Sequence, residues 1–123
     1  MFELTEENRY FVCLYPIRMN KGIDGLSNLV SSCTTLSPMS GDVYVFFSQN
    51  RKQVKLLKWD TDGFVLYQKR LARGTFQLPE YNETNGCFEM PWDIFYFVIK
   101  GVDLKAVKYH ERFRYKSLRT TSI

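Results

Sequence analysis

Apolar and polar positions change period several times along the chain, and each change marks an element. Arg9 to Tyr15 (RYFVCLY) is dense in β-branched and aromatic side chains and stops at Pro16, which predicts a first strand. Ile23, Leu26, Leu29, Val30 and Cys33 then recur at helical spacing, predicting an amphipathic helix from about Lys21 to Ser32. Gly22 and Gly25 weaken its first turns by about 1 kcal/mol each relative to Ala, so tertiary packing must hold it. Ser37 to Gly41 (SPMSG) is a turn that delivers the chain into a sheet.

The segment from Asp42 to Leu71 reads as an antiparallel meander of three strands: DVYVFFS, VKLLKW and FVLYQKRL. Gln49 to Gln53 is a polar connection, and Asp60-Thr61-Asp62-Gly63 ends in Asp-Gly, a hairpin signal because Gly tolerates positive φ. Thr75 to Leu78 reads as a short edge strand, entered through Arg73-Gly74 and stopped by Pro79. Pro91 suits the first position of a second helix, Asp93 its positive end and Gly101 its C-terminal cap. The intervening WDIFYFVIK is apolar nearly all round, so it needs cover on more than one side, with a second copy of the chain as one candidate. The pattern predicts a single α+β domain over residues 1–108, an antiparallel meander of about four to five strands packed with two helices. Residues 109–123, a basic stretch without sustained apolar period, read as a flexible tail.

Composition supports a packed fold: the 123 residues are 45% hydrophobic and 16% aromatic, too rich in core-forming side chains for a disordered chain. Charge is more informative in its distribution than in its total of +4. Residues 51–73 carry seven basic against two acidic side chains and residues 100–123 repeat that balance, while the remainder of the chain is net acidic. Such segregation suits a polyanion or an acidic protein surface as partner, and suits a solvated face equally well.

Folding the meander on its turn sharpens this. If the Asp60–Gly63 turn closes the hairpin, Trp59 lies near Phe64 and the pairing runs back until Val54 or Leu56 meets Lys69. Arg51, Lys52, Lys55, Lys69, Arg70 and Arg73 then gather at one end of the sheet, where they could neutralise backbone phosphates. Tyr44, Trp59 and Tyr67 could stack on unpaired bases, but core packing accounts for them better.

Other chemistry is weakly supported. Asp60 and Asp62 could give carboxylates to a metal, with Asp24 or Glu89 completing a nuclease-like set, yet turn chemistry already explains the Asp-Thr-Asp-Gly sequence. The sequence holds no nucleophile motif and no phosphate-cradling glycine loop, and its one histidine, His110, reads as a surface residue. No catalytic residue, metal or cofactor is expected. Cys13, Cys33 and Cys87 are odd in number and far apart, which predicts reduced thiols. The acidic N-terminal dodecamer is unlike a secretion signal and the longest apolar run, Ile94 to Ile99, is too short to span a bilayer, so a cytoplasmic protein without membrane contact is expected.

Four stretches also carry a resemblance: Pro16-Ile17-Arg18-Met19-Asn20-Lys21-Gly22-Ile23-Asp24-Gly25-Leu26, Pro38-Met39-Ser40-Gly41, Val54 to Phe64 (VKLLKWDTDGF) and Tyr67 to Pro79 (YQKRLARGTFQLP). In order and spacing they resemble the small accessory protein encoded by the second reading frame of bacterial insertion sequences of the IS sixty-six family. The resemblance implies a cytoplasmic protein encoded beside a separate transposase and needed for efficient transposition. By position it marks Lys55, Trp59, Asp60, Asp62, Gly63, Lys69, Arg70, Gly74, Phe76 and Pro79, without assigning them roles. One departure stands out: the family's Asp-Met-Arg-Lys is here Arg18-Met19-Asn20-Lys21, so an ion pair between its acid and its arginine cannot form in that arrangement.

The expected function is thus a non-catalytic transposition accessory factor, using the six basic residues on element DNA or on the transposase–DNA complex. The alternative is a protein-interaction module that binds the transposase or itself through Trp92, Phe95 and Ile99 of the apolar helix, with no DNA contact.

Overall fold

A computed structural model describes residues 4–14, 20–78 and 87–100. The elements in chain order are β1 (Tyr10–Cys13), α1 (Ile23–Cys33), β2 (Val43–Phe47), β3 (Gln53–Asp60), β4 (Gly63–Arg70), β5 (Cys87–Met90) and α2 (Trp92–Ile99). They form one five-stranded sheet in the order β4-β3-β2-β1-β5. As the sequence predicts, the architecture is α+β and β2, β3 and β4 form an antiparallel meander, with Val54 opposite Lys69 and Asp60 opposite Gly63.

The sheet is mixed rather than purely antiparallel. β1 pairs parallel with β2, because α1 carries the chain back along the sheet between them. β1 and β2 are apolar at every position, YFVC and VYVFF, and buried on both faces, because a helix packs on each. On one face Leu26 and Val30 of α1 meet Phe11, Tyr44, Phe46 and Leu57. On the other Ile94, Phe95, Val98 and Ile99 of α2 meet Tyr10, Val12, Val45 and Leu56. The sheet itself therefore supplies much of the cover that the apolar helix requires, and Tyr96, 43% exposed, remains outward.

Several local expectations are corrected. Thr75 to Leu78 is not a strand. A positive φ of 72° at Gly74 turns the chain so that the Phe76 N–H donates to the Arg51 carbonyl oxygen at 2.7 Å and the Phe76 ring packs 5.6 Å from that of Phe47. The edge strand comes later, as β5, whose short CFEM sequence carries little strand signal. In the hairpin, positive φ falls on Thr61 (58°) rather than on Gly63, which begins β4. Pro91 precedes α2 as its N-cap, and Lys100 is the C-cap. Gly101, Pro79, Arg18 and the tail 109–123 lie outside the described residues.

The expectation of reduced thiols is also corrected for two cysteines. Cys13 and Cys87 stand in register across β1 and β5, with Cα atoms 4.2 Å apart and their sulfurs joined as a disulfide. A separation of 74 residues hides this pairing from any spacing argument.

Candidate nucleic-acid interface

The β3–β4 ladder sorts its charges by length and by face. Asp60 and Asp62 lie at its turn, while Gln53 pairs with Arg70 at the far end. Eight residues of strand separate those ends by roughly 23 Å. Beyond Arg70, the Leu71 N–H donates to the Lys52 carbonyl oxygen at 2.9 Å, carrying Arg73 past the β2–β3 connection. Arg51, Lys52, Arg70 and Arg73 thereby share one end of the sheet, with Lys52, Arg70 and Arg73 exposed. Arg51 is held more firmly. Its φ is 61°, its guanidinium lies 5.8 Å from the centroid of the Phe47 ring, and burial lowers its pKa.

Lys55 and Lys69 reach the same end but are turned to other tasks. Lys55 pairs with Gln68 on the α1 face and is 5% exposed, its Nζ donating to the Lys21 carbonyl oxygen at 2.7 Å just before α1. Lys69 lies on the α2 face, where its Nζ donates to the Ile99 carbonyl oxygen at 2.9 Å. That oxygen belongs to the last turn of α2, where carbonyls lack helical partners and the helix dipole favours a cation. Of the six basic residues, four form the rim and two brace the helices on opposite faces.

The family-pattern residues divide similarly. Phe76 is buried, and Trp59 packs edge-on against Phe64 at 5.0 Å. Tyr67 packs on the α2-face core, and the buried Tyr44 donates through its hydroxyl to the Ser37 carbonyl oxygen at 2.6 Å. Phe95 and Ile99 of the apolar helix face inward, and Trp92 sits against Tyr10 at a ring distance of 5.5 Å. Asp60 and Asp62 lie in an exposed turn of one edge hairpin, whereas Glu89 lies on the strand at the opposite edge. Among the described residues, no three acidic, histidine or cysteine side chains converge as a metal site.

A polar network occupies the opposite end of the sheet, where the sequence reading places only a turn. Arg9 donates to both carboxylate oxygens of the buried Asp42, at 3.0 and 2.9 Å, and Ser40 Oγ donates to Asp42 at 2.9 Å. Ser40 Oγ also lies 2.9 Å from the Tyr44 hydroxyl. The hydrogen bond to Asp42, reinforced by its charge, raises the pKa of Arg9. The Val43 N–H donates to the Arg9 carbonyl oxygen at 2.9 Å, so the network ties the starts of the parallel strands together. Its only sequence trace is the SPMSG turn.

Comparison with known proteins gives the family. No solved structure matches the chain. An uncharacterized protein, y4jC, of Sinorhizobium fredii is 30% identical over 100 residues, covering 81% of this chain and 84% of the relative. The family model described as IS66 Orf2 like protein matches residues 8–109. The chain therefore belongs to the IS66 Orf2-like family, the accessory proteins of bacterial insertion sequences.

Proposed function

We propose that this protein is a non-catalytic accessory factor acting in the cytoplasm, where it binds element DNA, alone or with the separately encoded transposase, through the basic end of its sheet. The contacting side chains are Arg51, Lys52, Arg70 and Arg73, while Lys55 and Lys69 hold the flanking helices that shape this end. The observation that carries the reading is the convergence of the β2–β3 connection and the segment after β4, two stretches some twenty residues apart, into one rim of cations. A cluster of four cations can neutralise several phosphates without reading base identity, which suits a factor whose sequence preference is supplied by a partner. The aromatics take no part in stacking, because packing occupies Tyr44, Trp59 and Tyr67.

Fluorescence anisotropy with labelled element-end duplex at low salt tests this. Binding at micromolar protein is expected, and a flat titration at low salt would remove direct DNA contact.

A further inference from the structure

The two edges of the sheet are unlike. β5 has only four residues, includes the exposed Glu89 and is fastened to β1 through Cys87. Short, charged edges resist pairing with another chain. β4 has eight residues, and Phe64, Val65, Leu66 and Tyr67 form an uncharged run that is only half-buried. Among the described residues nothing pairs with its outer side.

Register shows which backbone groups it offers. Asp60 and Gly63 close a two-residue loop and Leu71 bonds to Lys52, so odd-numbered residues of β4 bond to β3. The N–H and C=O groups of Phe64, Leu66 and Gln68 therefore face outward. This edge is also polar in charge, with Asp62 in the turn at one end and Arg70 at the other. A strand with opposite charges at its ends is complementary to itself when reversed, as a two-fold interface demands.

We infer that β4 pairs antiparallel with β4 of a second copy, making one continuous sheet through a homodimer. With Leu66 on the two-fold axis, Leu66 faces its own copy, Phe64 faces Gln68 and Asp62 comes level with Arg70, twice by symmetry. The remaining apolar surface of residues 65–67 is covered by the same residues of the partner copy, and Phe64 lies against the methylene stem of the partner's Gln68. This goes beyond the DNA reading, whose contacts are Arg51, Lys52, Arg70 and Arg73; of these the pairing uses Arg70 alone, and sedimentation without DNA reads the dimer separately.

Sedimentation velocity on the full chain tests the interface. The wild type is expected to be dimeric at about 100 µM. Arg70→Asp and Asp62→Arg should each weaken the dimer by about tenfold, and the Asp62→Arg/Arg70→Asp double variant should restore it. Leu66→Pro, which removes an outward N–H that β3 does not use, should yield folded monomer. A monomeric wild type, or charge reversals that do not rescue one another, would overturn the inference even if Leu66→Pro failed to fold.

Discussion

Lys69 Nζ donates to the Ile99 carbonyl oxygen at 2.9 Å, across 30 residues of sequence. The Lys69-Arg70 pair, which looks like one basic feature, is thus split by the pleat. Lys69 closes the C-terminal end of α2, and Arg70, one residue on, lies on the other face of the sheet. Lys69→Met should cost about 1–2 kcal/mol in urea unfolding, through loss of a charged hydrogen bond and a dipole contact. Lys52→Met and Arg73→Met, both on the exposed rim, should stay within about 0.5 kcal/mol of wild type.

Thr61 holds a φ of 58°, a region its β-branched side chain disfavours. Thr61→Asn should stabilise the protein by about 0.5–1 kcal/mol, since Asn tolerates the left-handed conformation of a tight hairpin. A higher urea midpoint at unchanged slope is the expected signature.

Burial raises the pKa values of Tyr10 and Tyr44, partly offset by hydrogen bonds from Asn8 and with Ser40 respectively. A phenol with a raised folded-state pKa favours the fold while neutral in both states. That contribution is fully present below its unfolded value, about pH 10, and is lost as pH rises through the folded value. Thermal melts should therefore fall above about pH 10, and less steeply in Tyr44→Phe, although that variant starts lower through loss of its bond to Ser37.

The Cys13–Cys87 bond closes a loop of 74 residues. Full reduction should lower unfolding stability by about 2–4 kcal/mol in the chain-entropy account. Cys13→Ala should remove the response to reductant altogether. An unfolding midpoint indifferent to reductant in the wild type would contradict this.

Part of this architecture is legible in the sequence. The β3–β4 pairing is, because the Asp60–Gly63 turn sets Trp59 near Phe64 and narrows the partner of Lys69 to Val54 or Leu56, which brings Lys52, Arg70 and Arg73 to one end; the structure selects Val54. The opposite faces of Lys55 and Lys69 come from the same register, but their acceptors, the carbonyls of Lys21 and Ile99, depend on where two helices dock and have no local trace. The parallel pairing of β1 and the Cys13–Cys87 bond are hidden for a related reason. Both are set by connections through α1 and through a long intervening stretch, not by neighbours in sequence. The Arg9–Asp42–Ser40 network lies in a turn motif that reads as punctuation until its side chains are placed.

A cationic rim that meets phosphates makes DNA affinity depend on salt. With four phosphate contacts, the logarithm of the binding constant should fall against the logarithm of salt with a slope between about −3 and −4. Lys52→Ala/Arg73→Ala should reduce that slope by about 2, with the fold and the β4 edge intact. A slope unchanged in this double variant, or no binding by the wild type at low salt, would show that the rim does not contact phosphates.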